Sequence, residues 1–177
     1  LIDGIDLTGE NQDKVTQLAG FSTFTQNSSN LRGVDVFIVT VPTPVHDSKQ
    51  PDLRSLIAAT ETCARNLSWG GLVIYESTVY PGATEDVCIP ILEKISGLGV
   101  NSDFGVGYSP ERINPGDKSH TIQNITKIIS ASSDYWLSKV EKVYSSIINA
   151  GLFSASSIIV AETAKAIENT QRDVNIA

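Results

Sequence analysis

The feature that most constrains this chain is a repeated change of period along it, from short β-branched runs to stretches with helical spacing and back. Val34-Asp-Val-Phe-Ile-Val-Thr-Val41 is the kind of run that makes a strand buried on both faces. Pro42-Thr-Pro44 stops it, and a polar loop runs on to Pro51. Asp52 then predicts an N-cap, with Leu53, Leu56, Ile57, Thr60 and Ala64 recurring at helical spacing. Gly70-Gly71 marks the end of that helix, and Leu72-Val-Ile-Tyr75 predicts a second buried strand. A turn at Tyr80-Pro-Gly82 leads into a helix over 84–95, closed by Gly97 and Gly99. Residues 104–108 predict a third strand, 126–131 a fourth, 134–148 a helix, and 160–177 a last helix without breaker or stop signal. Strands alternating with helices imply βαβ units, hence an α/β fold with a doubly wound, mostly parallel sheet.

Composition narrows the function classes. The chain has 177 residues, enough for one domain or one and part of another at about 150 each. With 41% hydrophobic and 19% charged residues it is neither disordered, collagen-like nor a coiled coil. No stretch approaches the roughly 20 apolar residues of a membrane span, and residues 1–10 lack the layout of a signal peptide. The chain contains no Met, so residue 1 is expected not to be the natural start. Thirteen basic against 20 acidic residues give a net charge of −7, a surface that repels nucleic-acid backbones and anionic lipid. A small phosphorylated ligand needs only a few local donors and stays possible. Cys63 and Cys88 show no metal spacing and read as reduced packing residues, which points to a cytoplasmic chain.

Parallel sheets bind ligands beyond the carboxyl ends of their strands, and three unusual loops fall there. In Val41-Pro-Thr-Pro44 each proline fixes its own φ and restricts its predecessor, so Thr43 is either held for a ribose or phosphate or the segment is a plain strand terminator. Glu76-Ser-Thr-Val-Tyr-Pro-Gly82 places a carboxylate and two hydroxyls where a buried strand emerges. Thr78 there can hold a water or meet a nicotinamide face, or the hydroxyls serve only the local turn. Tyr108-Ser-Pro-Glu-Arg-Ile-Asn-Pro-Gly-Asp117 is both rigid and polar. Glu111 beside Arg112 offers an acid/base and an anion clamp, against the alternative of a surface pair of little consequence.

On the last helix Glu162, Lys165, Asn169 and Arg172 fall within about a quarter turn. A Lys and an Asn at i, i+4 facing a sheet edge can grip a hydroxyl undergoing oxidation; the alternative is a solvated face. His46 and His120 sit alone in polar loops and read as exposed side chains. There is no Gly-x-Gly-x-x-Gly turn, P-loop, Gly-x-Ser-x-Gly or zinc spacing.

Four ordered motifs carry a resemblance that runs essentially end to end. They are Ile38-Val-Thr-Val-Pro-Thr-Pro44, Val73-Ile-Tyr-Glu-Ser-Thr-Val-Tyr-Pro-Gly82, Val106-Gly-Tyr-Ser-Pro-Glu-Arg-Ile-Asn-Pro-Gly-Asp117 and Ala161-Glu-Thr-Ala-Lys-Ala-Ile-Glu-Asn-Thr-Gln-Arg-Asp-Val-Asn175. Together they resemble the UDP-glucose/GDP-mannose dehydrogenases, most closely the branch acting on UDP-N-acetylhexosamines, including the C6 dehydrogenases of Vi-type capsular polysaccharide synthesis. The UDP-glucose branch has a second glutamate four residues after the first; here Pro115 stands in that place, as in the N-acetylhexosamine branch.

The resemblance implies a cytoplasmic oxidoreductase that takes a nucleotide sugar from C6 hydroxyl to carboxylate with two NAD⁺, through an aldehyde and a cysteine thioester. By it, Lys165 is the catalytic lysine at the C6 oxygen, Asn169 helps hold that oxygen, and Arg172 contacts substrate. Glu111 is the acid/base of thioester hydrolysis, with Arg112 and Ile113 lining the sugar site. Thr43 and Thr78 contact NAD, and Thr78 also orients water. The family's glycine turn and ribose-binding acid are expected before Leu1, and its nucleophilic cysteine after Ala177. The chain is therefore expected to be an internal fragment: residues 1–158 a partial Rossmann-like NAD-binding domain lacking its first strands, and 159–177 the start of a long central helix. Alone it is expected to be inactive and to form a homodimer or larger assembly. The competing readings are a non-catalytic UDP-sugar binding or assembly module and a hydroxyacid dehydrogenase; the Ser109–Asp117 loop opposes the latter.

Overall fold

The structure is a computed structural model, and it describes residues 25–112 and 124–177 together with Asp13, Thr16, Ser22 and Thr23. The chain divides into two compact units, residues 1–32 and 33–177. In the first, the 3-10 turn Ser28–Leu31 is capped by Asn27, whose side chain accepts from Ser29 N at 3.0 Å.

In the second unit the predicted alternation is present. Strand β1 is Val36–Val39, helix α1 Arg54–Asn66, β2 Leu72–Tyr75, α2 Ile89–Ser96 and β3 Gly105–Tyr108. Then follow β4 Lys127–Ala131, α3 Asp134–Ser145, β5 Leu152–Ser154 and α4 Ile158–Ile176. The sheet order is β1-β2-β3-β4-β5. Three of the four pairings are parallel, and β3 with β4 is antiparallel. Val39, Tyr75 and Tyr108 stand in register, so the loops after β1, β2 and β3 leave the sheet at one edge, as the strand pattern predicts.

Alternation across β2 assigns the two faces. Leu72 and Ile74 join Ile129, Trp136, Val140, Tyr144 and Ile148 in a core under α3. On the opposite face Tyr75 donates its hydroxyl to Thr60 of α1 at 3.0 Å, fully buried. Helix α3 lies close because β3 offers glycines beneath it. A Cβ on Gly105 would stand 2.1 Å from the Trp136 ring, and one on Gly107 2.8 Å from Val140. Cys63 and Cys88 are buried free thiols, as expected, and burial pushes both up to about 11.

Several boundaries differ from the sequence reading, each for a local reason. Asp52 is not the N-cap of α1. Leu53 holds that position, and the Asp52 carboxylate accepts from Arg54 N at 3.0 Å while pairing with the Arg54 guanidinium. Helix α1 ends at Asn66, before Gly70-Gly71, because Leu67 turns extended. The helix over 84–95 starts as a π-helical turn, Thr84–Cys88, and ends as predicted at Gly97, whose φ of +72° is the left-handed conformation that favours glycine. The predicted turn is present, with Ala83 N donating to Tyr80 O at 3.1 Å. Strand β5 was not foreseen, being three residues long with two of them exposed.

Candidate active site at the strand edge

The first two loops are tied to each other. Thr43 Oγ1 donates to Thr78 O, and Ser77 Oγ donates to Val41 O at 2.6 Å. These bonds hold Thr43, half-buried, beside the exposed Thr78 at the ends of β1 and β2. Two hydroxyls and a proline ledge can meet the ribose and nicotinamide end of a dinucleotide.

The third loop is tied to α4. Lys165 Nζ donates to Glu111 O, which brings the predicted lysine and glutamate together. Arg112 turns its Nε to Glu168 at 3.0 Å and its Nη1 to Thr126 O at 3.4 Å; its own amide donates to Glu111 Oε1 at 2.6 Å. Arg172 reaches the other Glu168 oxygen at 3.5 Å. One carboxylate thus gathers both arginines named from the sequence. Asn169 is half-buried one turn beyond Lys165 on the same face. Ile113 lies outside the described residues, as does His120; His46 is half-exposed and 3.7 Å from Asp52.

The quarter-turn stripe of α4 is not a solvated face. Glu162 is fully buried and Lys165 is 9% exposed. Burial holds Lys165 below the usual lysine range, opposed by the attraction of Glu168. Burial likewise pushes Glu162 above the usual carboxylate range, opposed by hydrogen bonds from Thr84 and Gly82. A lysine with a lowered proton affinity, held at a strand edge, accepts or shares a hydroxyl proton more readily than a solvated one.

Beneath Glu111 lies a second charged group. Lys127, 5% exposed, stands 3.1 Å from Glu76 and 3.9 Å from Glu111, with the Tyr144 ring 5.1 Å away. Tyr144 donates its hydroxyl to Glu76 at 2.6 Å. Lys127 and Glu168 were missed in the sequence. A lysine inside a β-branched strand was the available signal for the first, and the i, i+4 pairing with Arg172 for the second. Among the described residues no group of three or more His, Cys, Asp or Glu side chains could hold a metal, and no helix is long and apolar enough to cross a membrane.

The NAD binding domain model of the UDP-glucose/GDP-mannose dehydrogenase family matches residues 10–148. The UDP-N-acetyl-D-glucosamine 6-dehydrogenase of Pseudomonas aeruginosa is 54% identical over 177 residues, 100% of this chain and 42% of the relative. Protein CapL of Staphylococcus aureus is 55% identical over 154 residues, covering 87% of this chain and 36% of its own length. The solved UDP-D-ManNAc dehydrogenase of Pyrococcus horikoshii superposes with a TM-score of 0.85 at 36% identity, over 93% of this chain and 38% of that one. The chain therefore spans less than half the length of these relatives.

Proposed function

This chain belongs to the UDP-glucose/GDP-mannose dehydrogenase family and carries its Rossmann-like NAD-binding domain; from that premise we propose that the whole protein oxidises C6 of a UDP-N-acetylhexosamine to the uronate, for a cell-surface polysaccharide. The observation that carries the reading is Lys165, buried, lowered in proton affinity, and bonded to the backbone of the loop that presents Glu111. NAD⁺, when bound, supplies the hydride acceptor. Thr43 and Thr78 would hold its nicotinamide end. Lys165 Nζ takes or shares the proton of the C6 hydroxyl, and the Asn169 amide steadies the same oxygen. Glu111 serves as acid/base on water, and Arg112, Ile113 and Arg172 surround the sugar nucleotide. By this reading residues 1–158 belong to the NAD domain, and 159–177 begin a central helix.

A cytoplasmic homodimer or larger assembly accords with the exposed apolar side chains of α4, among them Ile167 and Val174 at 62% and 70% exposure. A non-catalytic binding module has no need of a desolvated lysine at the sugar site, since a solvated one binds phosphate as well. The test is a steady-state assay of the full-length protein with NAD⁺ and UDP-N-acetylglucosamine, -galactosamine or -mannosamine. Two NADH per sugar consumed, with one of the three, is the expected result. A folded, full-length protein that makes no NADH with any of them overturns the proposal.

A further inference from the structure

Cofactor-side and sugar-side groups stand on different segments, and a misplacement of about 1 Å between reacting groups can slow a reaction about 100-fold. Thr43 and Thr78 sit on the loops after β1 and β2; Lys165, Asn169 and Arg172 sit on α4, 87 or more residues later in the chain. What joins them is Glu162. Its Oε2 accepts from Gly82 N at 2.6 Å and its Oε1 from Thr84 N at 3.0 Å, with the side chain fully buried. Gly82 lies four residues beyond Thr78, at the turn closing that loop, with φ +95°. Lys165 lies one helical turn beyond Glu162. The same loop holds Thr43 through Thr78 O, so a chain of bonds runs from Thr43 through Thr78, Gly82 and Glu162 to the Lys165 helix.

We propose that Glu162 is a positioning residue, a two-pronged clamp that fixes the Thr78 loop on the Lys165 helix and so sets the two halves of the site at one spacing. It touches neither substrate nor cofactor, and its effect passes through the Gly82 and Thr84 amides. A carboxylate suits the task better than any other side chain, because it alone offers two acceptor oxygens to two amides that both point inward. Replacement by glutamine turns one prong into an NH2 group facing an N–H, which opens that side of the clamp. The inference rests on the dehydrogenase reading for its consequence in catalysis, but the clamp itself can be read without turnover.

The experiment compares the full-length protein with its Glu162→Gln and Glu162→Asp variants in three measurements: amide hydrogen exchange at residues 78–84, separate dissociation constants for NAD⁺ and for the UDP-sugar, and kcat. Glu162→Gln is expected to speed exchange at Gly82 and Thr84 by at least about tenfold and to leave each dissociation constant within about threefold, while kcat falls by about 100-fold. Glu162→Asp keeps both oxygens on a shorter arm and is expected to recover part of kcat. A merely structural role would lower the melting temperature while leaving kcat per folded molecule unchanged. That result overturns the positioning role, as does unchanged exchange at Gly82 and Thr84. If the wild-type protein shows no turnover, the dehydrogenase reading falls, and exchange at these two amides alone decides for or against the clamp.

Discussion

The two sides of β3 are built on opposite principles. Under α3, Gly105 and Gly107 let Trp136 and Val140 descend onto the sheet, and the core they enter is mainly aliphatic and aromatic. Along α4 the buried positions include Glu162 and Lys165, each a charge-bearing group held by specific partners. The first side gains from every methylene removed from water. The second incurs desolvation at every charge and recovers it only through specific partners, an arrangement that replacement by apolar residues commonly matches in stability. Stability alone therefore accounts for the α3 side and not for the α4 side, and the difference supports the chemistry proposed for α4.

Substitutions on the two sides should fail in different ways. Lys165→Met in the full-length protein is expected to lower kcat about 1,000-fold, about 4 kcal/mol of barrier, with the melting temperature changed by no more than a few degrees. A parallel loss of folded protein would mean that α4 is merely core. Gly105→Ala drives a methyl into the Trp136 ring and should cost about 3 kcal/mol in urea denaturation, with kcat per folded molecule retained.

Lys127→Met leaves Glu76 without its cation. Because Tyr144 still donates to that carboxylate, about 2 kcal/mol is expected, below the range for a fully orphaned charge, and adding Glu76→Gln should restore most of it. If the double variant is no more stable than Lys127→Met, the two side chains do not act as a pair. At the far end of the scale, Arg65→Ala breaks an exposed i, i+4 pair with Glu61 and should change stability by about 0.3–0.5 kcal/mol.

The sign of the pH dependence separates the sides as well. Glu162 holds its proton more tightly folded than unfolded. Its contribution to stability is therefore fully present below the unfolded value near 4.5 and is lost as pH rises through the folded value. Lys165 does the reverse: its folded value lies below 10.5, so its contribution is present above 10.5 and lost as pH falls through the folded value. Urea midpoints measured against pH should thus show a fall on the acid side that Glu162→Gln removes, and a rise on the alkaline side that Lys165→Met removes. Identical pH profiles for variants and wild type would refute the burial of these charges.

Much of this was readable in the residues. The β-branched run Val34–Val41 and the short runs Leu72–Tyr75 and Phe104–Tyr108 place β1, β2 and β3. The i, i+4 Lys-Asn pair and the Glu-Arg loop mark the site. What periodicity could not supply was depth. Glu162 and Lys165 look like a solvated stripe on a helical wheel, since spacing reports which residues share a face but not what covers it. Lys127 and Glu168 lie far in sequence from Glu76 and Arg112, and pairings of that range are set by the antiparallel return of β4 and by the path of α4, which local pattern does not encode. Strand β5 escaped because Leu152-Phe-Ser154 is too short for alternation to register.

The measurement that bears most directly on the account is a crystal structure of the full-length protein with NAD and a UDP-N-acetylhexosamine bound together. The account predicts the sugar C6 at Lys165 Nζ with Glu111 beside it, and the nicotinamide end against Thr43 and Thr78 at the same strand edge. A sugar seated away from Lys165 and Glu111, or a dinucleotide bound elsewhere than at the ends of β1 and β2, would contradict it.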